Sequence, residues 1–196
     1  MKSNSQVTVW NVSRVPIASV LFAMLLAGGS SALASGNDGS GHSVYVSGNS
    51  TYSDCGLVGS DLAITMTGDL EGCLSVFVQG FSCRELGDFA LYSERGQEVF
   101  VGTLRGKQGR FRTSYTVEGA YAKGFCQSFD FSLQLAGGCS HKVYGRSGVF
   151  KEAEGLLSFL DVVAGVTGDP VTGAFTPGTG ANNFLYFGSI RLDGNN

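Results

Sequence analysis

The sequence predicts an all-β protein, a single antiparallel up-and-down barrel of about eight strands that disulfides stabilise. Three observations predict it. Apolar and polar residues alternate with a period of two through most of the chain from Leu62 to Leu192, glycines separate these runs at hairpin spacings, and no proline lies between Pro16 and Pro170. Because eight antiparallel strands in sequence order can close on themselves, such a sheet leaves no unpaired edge.

The first 34 residues have the features of an export signal. Lys2 and Arg14 give a positive start, residues 15–27 form an apolar run too short to span a bilayer comfortably, and residues 32–34 read Ala-Leu-Ala. Signal peptidase recognises small residues in that arrangement and cleaves the bond that follows them, so we expect cleavage after Ala34. The mature protein is expected to be secreted or periplasmic, without integral membrane association.

The mature chain is long enough for one domain with a sizeable core. Residues 35–61 are rich in Gly, Ser and Asn, which predicts a flexible leader, and the barrel is expected over 62–193. Without the signal, 11 Lys and Arg remain against 16 Asp and Glu. An acidic chain is a poor partner for nucleic acid. Basic residues gather around Gly106, where a solvated hairpin tip is favoured over an anion-binding rim.

The strands are predicted from the alternation within each run. They are Leu62 to Thr67, Leu70 to Gln79, Asp88 to Arg95, Glu98 to Arg105, Arg110 to Tyr121, Ser128 to Leu135, Leu156 to Val163 and Phe184 to Leu192. Gly96-Gln97 is interpreted as a hairpin between two of them. The residues taken as the inward positions on the strands beside it are Phe89, Leu91, Val99, Val101 and Thr103.

Five cysteines lie in the exported part of the chain, where disulfides persist. They are Cys55, Cys73, Cys83, Cys126 and Cys139. Two bridges among five cysteines can form in 15 ways, and the residues alone do not choose. There is no Cys-x-x-Cys, and the two histidines are far apart, so disulfides are favoured over a metal site and no metal or other cofactor is expected. Cys139 lies two residues from His141, but a structural cysteine is favoured over a catalytic thiol because sharing a strand face does not guarantee contact.

Catalysis would depend on acidic residues within strands, and the candidates are Asp161, Glu118 and Asp130. A carboxylate turned into a dry barrel has a raised pKa and can serve as a general acid or base. Glu118 and Asp130 share their faces with polar residues, so we expect both to point to solvent. Asp161 is expected to accept a backbone hydrogen bond at the end of its strand.

Ligand binding requires no catalytic residues, only space inside the barrel. An eight-stranded barrel is either filled by side chains or holds one small molecule. The aromatic candidates for lining such a pocket are Phe111, Tyr115, Phe129, Phe131, Phe159 and Tyr186. Core packing explains the same residues. The expected partner is a small apolar molecule.

Three segments carry a resemblance to a known family. They are residues 145–161, a glycine-rich turn around Phe150 followed by a strand, residues 66–74 at the first hairpin, and residues 184–192 as a closing strand. Together they resemble the allene oxide cyclase and dirigent type of barrel, in particular secreted bacterial members without an assigned role. The resemblance covers about 62–192 and implies that the closing turn before Val143 packs near the first hairpin. It thereby implies a Cys73 to Cys139 bridge, then a Cys83 to Cys126 bridge, with Cys55 unpaired.

The resemblance implies little about chemistry. Plant allene oxide cyclases bind a fatty-acid-derived epoxide in an apolar barrel and steer its cyclisation, and dirigent proteins steer the coupling of phenoxy radicals. The functional residues of neither group match this chain position by position, and the five cysteines and the long loop from Gly165 to Asn183 depart from both. An argument from fold alone does not transfer a reaction.

The expected function is therefore that of a small apolar ligand binder or a structural module. One alternative is a cyclase-like or isomerase-like enzyme that steers a reactive apolar substrate. A second is an eight-stranded outer-membrane barrel, whose apolar face would meet lipid. The five cysteines, the uneven strand lengths and the polar ending Asp193-Gly194-Asn195-Asn196 oppose the second alternative.

Overall fold

The computed structural model describes residues 41–163, 167–168, 175–176 and 181–193. Eight strands form a closed barrel in the order β1-β10-β7-β6-β5-β4-β3-β2, and two short strands pair separately as β8-β9. The strands are β1 His42–Tyr52, β2 Leu62–Gly68, β3 Leu70–Leu86, β4 Phe89–Leu104, β5 Lys107–Ala122, β6 Gln134–Gly148, β7 Glu154–Val163, β8 Thr167–Gly168, β9 Phe175–Thr176 and β10 Ala181–Leu192. Between β5 and β6 lie a short helix, α1 Phe125–Ser128, and a 3-10 turn, Phe131–Leu133.

The predicted all-β, up-and-down barrel is confirmed. Each neighbouring pair around the ring is antiparallel, and β1 closes the ring by pairing with both β2 and β10. Closure gives each of the eight barrel strands two partners, which removes the exposed edge that an open sheet would present.

The barrel begins at His42, so the prediction of a flexible leader over 35–61 is wrong for the residues of β1. The glycine in this strand serves packing instead of flexibility. A Cβ atom on Gly48 would fall on the carbonyl oxygen of Thr67 and on the ring of Tyr186, so the tyrosine can pass only because Gly48 has no side chain. The predicted signal, residues 1–34, lies outside the described residues.

β4 is one continuous strand, and the predicted hairpin at Gly96-Gln97 is wrong. Gly96 faces the interior, where a Cβ atom would come within 2.6 Å of the ring of Tyr115. The inward face of β4 is also the opposite of the predicted one: Phe89, Leu91 and Val101 are exposed, although Val99 is buried. A shift of one position exchanges the two faces of a strand, because its side chains alternate.

The predicted strand from Ser128 to Leu135 is wrong as far as Leu133, where the chain forms the end of α1 and the 3-10 turn, and only its last two residues lie in a strand. Gly124 and Phe129 take positive φ angles of 97° and 50° at the two ends of α1, which interrupts the extended backbone on both sides of the helix. Glu85 on β3 accepts hydrogen bonds from the backbone N–H groups of Gly124 and Cys126, at 3.2 and 3.0 Å. β6 then begins at Gln134, in a glycine-containing stretch whose alternation the sequence left unassigned.

One end of the barrel, which we call the closed end, is filled by aromatic side chains. Phe100 and Phe111 stack with their ring centroids 4.6 Å apart, and Phe150 packs edge-on against Phe111 at 4.9 Å. Phe150 is fully buried and follows Gly148, whose φ of 61° requires the left-handed region. The glycine-rich turn therefore seats an aromatic plug, as the sequence predicted. The hairpin predicted at Gly106 is also present at this end.

Two disulfides join Cys55 to Cys73 and Cys83 to Cys126, and Cys139 is a free thiol. The expected Cys83 to Cys126 bridge is thus present. The expected Cys73 to Cys139 bridge is wrong, and so is the expectation that Cys55 is unpaired, because Cys55 is bonded to Cys73. Cys73 pairs across the sheet with Val101 on the outer face, but Cys139 lies beside the interior. The barrel wall separates the two thiols. Disulfides are typical of oxidising compartments.

No helix in the described part of the chain is long and apolar enough to cross a membrane.

Candidate functional site

The opposite end of the barrel, which we call the cavity end, encloses a volume of about 530 Å³. This volume is within the range of small-molecule sites. Its lining is contributed by β1 to β7, by β10 and by the 3-10 turn: Tyr52, Leu62, Ile64, Val76, Tyr92, Glu94, Glu98, Tyr115, Val117, Tyr121, Asp130, Phe131, Ser132, Gln134, Cys139, His141, Phe159, Asp161 and Phe184. Aromatic and aliphatic side chains form most of the wall, and polar groups are concentrated on β4, β6 and β7.

The six aromatic residues predicted to line a pocket divide into two groups. Tyr115, Phe131 and Phe159 line the cavity. Phe111 belongs to the plug at the closed end, Phe129 is exposed, and Tyr186 is buried in the wall. The hydroxyl of Tyr186 accepts a hydrogen bond from the backbone N–H of Leu70 at 2.9 Å, so this tyrosine ties β10 to the hairpin between β2 and β3.

The three predicted acidic candidates also differ in position. Asp161 lines the cavity, where it accepts a hydrogen bond from the side chain of Gln134 instead of the backbone bond that the sequence suggested. Burial raises the pKa of the Asp161 carboxyl group, although the Gln134 hydrogen bond lowers it. Asp130 lies exposed at the cavity rim, and hydrogen bonds from Ser132 lower its pKa. Glu118 is exposed on the outer face of β5, as predicted.

A chain of four hydrogen-bonded side chains crosses the inner wall from β4 to β6. The hydroxyl of Thr113 donates to Oε2 of Glu98. The same Oε2 lies 2.6 Å from Nδ1 of His141, and Nε2 of that imidazole lies 2.9 Å from Sγ of Cys139. Glu98 and His141 are each only 2 % exposed. A thiol, an imidazole and a carboxylate in this order are the arrangement of a nucleophile, its base and the group that orients the base.

The barrel register brings these groups together. Glu98 on β4 is directly opposite Thr113 on β5, and His141 on β6 is opposite Tyr115, two residues further along β5. The imidazole is held between two aromatic rings, since its centroid lies 4.2 Å from that of Phe159 and 6.0 Å from that of Tyr115. Ring packing on both sides fixes the orientation of the imidazole.

The hydrogen-bond pattern assigns the proton positions. Oε2 of Glu98 is an acceptor, so Nδ1 of His141 carries the hydrogen and Nε2 is left to accept from the thiol. Burial raises the pKa of Cys139 well above its ordinary value, and the charges of Glu98, Asp161 and Glu94 raise it further. The resting thiol is therefore protonated and donates its hydrogen to the imidazole.

A second polar group lies next to this chain. Glu94 on β4 accepts hydrogen bonds from the hydroxyls of Tyr92 and Tyr115, at 2.5 and 2.7 Å. Burial raises the pKa of both tyrosines, and their hydrogen bonds to Glu94 raise it further. Both phenols therefore keep their protons and hold the carboxylate in place.

The arrangement does not suit metal binding, because the imidazole stands between the carboxylate and the thiol. Its two nitrogens point to opposite sides, so Glu98 and Cys139 cannot join His141 around one ion. Across the described segments, no group of three or more His, Cys, Asp or Glu residues could hold a metal.

Sequence reasoning missed Glu94 and Glu98 because it assigned the wrong inward face to β4. The even-numbered residues of this strand, including Tyr92 and Phe100, point inward. Removal of the false hairpin at Gly96 would not have corrected this, because the inward residues predicted on both halves are odd-numbered and both carboxylates are even-numbered. The two faces of this strand carry similar numbers of apolar residues, so the alternation alone does not reveal the inward one.

Comparisons of the chain with protein-family models, with curated proteins and with solved structures found no match.

Proposed function

We propose that this protein is an exported binding protein whose barrel holds one small, largely apolar molecule with a polar end. The observation that carries the proposal is the cavity of about 530 Å³, with an aromatic and aliphatic lining and buried polar groups on one side. Ligand sites commonly combine an apolar lining with a few fixed polar groups that orient the ligand. The two disulfides support export to an oxidising compartment.

The closed end supports placing the barrel with the allene oxide cyclase type. Phe150 fills the barrel end behind a glycine-rich turn in which Gly148 has a positive φ. This likeness concerns turn and packing residues, so it supports a relationship in fold only. The class of ligand has to be argued from the side chains that line the cavity.

The test uses a neutral apolar dye, N-phenyl-1-naphthylamine, and two variants with the same substitution. Val117→Phe adds a ring to the cavity wall, whereas Val101→Phe adds one to the outer face of the neighbouring strand. We expect Val117→Phe to weaken dye binding by at least about tenfold, which corresponds to about 1.4 kcal/mol. Val101→Phe should bind the dye as the unmodified protein does.

Fluorescence titration measures the affinities, and melting curves check that both variants fold. Equal affinities in all three proteins would place the dye on the outer surface and overturn the proposal. Native mass spectrometry of the protein purified from its own culture should show a co-purifying molecule, and Val117→Phe should reduce its occupancy.

A second candidate function, an enzyme that steers a reactive apolar substrate, is favoured by one observation. Cys139, His141 and Glu98 form a connected chain beside the cavity. Buried ionisable groups are costly unless they are paired, and they are concentrated at functional sites.

A further inference from the structure

The free cysteine of this barrel has the surroundings of an activated nucleophile. Cys139 lines the cavity, and its Sγ lies 2.9 Å from Nε2 of His141. The four remaining cysteines are bound in disulfides. Any thiol chemistry of the folded, oxidised protein is therefore expected at this position.

The geometry supplies both a base and the group that orients it. Glu98 fixes the tautomer of His141, which leaves Nε2 free to take the thiol proton. Thr113 donates to the same carboxylate oxygen and fixes its position in turn. Because the resting thiol is protonated, the thiolate is formed only as His141 removes the proton during attack.

We propose that Cys139 adds reversibly to small apolar α,β-unsaturated ketones bound in the barrel cavity, with His141 as its base and Glu98 as a positioning residue. The proposal rests on the proposed function, because the cavity must first admit the apolar molecule. It names the class of ligand, an electrophilic alkene conjugated to a carbonyl group.

The addition balances without a co-reactant. Sγ of Cys139 forms a bond to the β-carbon of the enone, and the alkene electron pair moves to the α-carbon and the carbonyl oxygen. The thiol proton passes to Nε2 of His141 and from there to the α-carbon. The product is the saturated ketone joined to the protein through a thioether, and elimination by the same steps releases the enone.

The wall favours this addition over acyl transfer. Acyl transfer needs several hydrogen-bond donors aimed at a developing oxyanion. Three side-chain donors of the cavity already donate to its carboxylates and are not aimed at a substrate oxygen. They are the hydroxyls of Tyr92 and Tyr115 and the amide of Gln134. Conjugate addition makes a smaller demand, a single donor on the carbonyl oxygen. The protonated Nε2 of His141, formed as the thiol gives up its proton, can be that donor before it protonates the α-carbon.

The test measures adduct formation by intact mass. The purified, oxidised protein is incubated with 3-nonen-2-one, and the modified residue is identified by peptide mapping. We expect one adduct per chain, at Cys139, formed at a rate that saturates with probe concentration. The saturated ketone 2-nonanone should compete with the probe, and Cys139→Ser should form no adduct.

The Glu98→Gln variant separates a positioning role from a merely structural one. It should lower the maximal rate of adduct formation about a hundredfold, the scale of general acid–base catalysis, and leave the half-saturating probe concentration unchanged. A structural role would leave the maximal rate unaltered. If Glu98→Gln does not fold, Thr113→Val replaces it, and we expect a several-fold slower reaction with unaltered dye binding.

The outcomes distinguish this proposal from the function on which it rests. Dye binding in the cavity without an adduct at Cys139 would overturn the covalent step alone, and so would equal maximal rates in Glu98→Gln and the unmodified protein. Failure of the dye to bind in the cavity would overturn the proposed function. An adduct that 2-nonanone does not prevent would show that the thiol reacts without cavity binding, which also overturns the proposal.

Discussion

The aromatic plug gives a stringent test of the closed end. Phe150→Ala removes a ring that is 0 % exposed and that packs edge-on against Phe111 at 4.9 Å and Phe100 at 5.9 Å. Truncation of a buried phenylalanine costs about 3 to 5 kcal/mol, because the transfer energy is lost and a cavity remains. The loss of two edge-to-face contacts places this site near the upper end of the range.

The expected loss is large compared with the stability of an ordinary domain, about 5 to 15 kcal/mol. At about 2 to 4 °C per kcal/mol for a domain of this size, a loss of 4 kcal/mol lowers the melting temperature by about 8 to 16 °C. Urea denaturation and calorimetry with the disulfides intact measure both quantities. Phe187→Ala, on the outer face of β10 where the ring is 48 % exposed, is the control and should cost less than about 1 kcal/mol. Equal losses in the two variants would refute the assignment of Phe150 as a buried plug.

Three further predictions test the wall, the buried acid and the disulfides. Tyr186→Phe should cost about 1 to 3 kcal/mol in denaturant unfolding, because it leaves a buried N–H group of the β2–β3 hairpin without its acceptor, whereas Tyr45→Phe on the exposed surface should be neutral. Burial raises the pKa of Asp161 in the folded protein. Protonation of this group therefore contributes to the free energy of unfolding in full below the ordinary pKa of 3.8, and the contribution is lost as the pH rises through the raised pKa. Asp161→Asn should therefore gain unfolding free energy relative to the unmodified protein between pH 4 and pH 7, and a constant difference would contradict this assignment. Joint replacement of Cys83 and Cys126 by Ala opens a loop of sequence separation 43 and should cost about 4 kcal/mol under the chain-entropy model, and unchanged urea unfolding would disprove it.

The fold was predictable from the sequence because a barrel depends on repeated alternation and on turns. Both features are local, and they are clear in β5, where Phe111, Thr113 and Tyr115 alternate with polar residues. Strands with irregular composition were harder to recognise. β1 contains glycine, serine and asparagine, a composition that predicts a flexible leader, and the sequence does not show that Gly48 makes room for Tyr186.

The site was less predictable, because it depends on the register between strands. Cys139 and His141 were visible as neighbours on one strand, but their partner Glu98 lies 43 positions from His141 in the sequence. One inverted strand face, on β4, was enough to turn Glu98 outward. An acidic residue chosen for its chemistry alone, such as Glu118, can therefore lie on a correctly predicted strand and still point to solvent.

The two ends of the barrel interior differ in a way that stability alone does not explain. At the closed end, Phe100, Phe111 and Phe150 fill the space with apolar rings. At the cavity end, β4 and β6 bury Glu98 and His141 almost as completely, with each residue only 2 % exposed. Buried charged or polar groups lose hydration, and their mutual hydrogen bonds restore only part of that free energy. Well-packed apolar residues would give a barrel of equal or greater stability, so the polar groups at the cavity end are better accounted for by what they contact inside the cavity than by the fold that carries them.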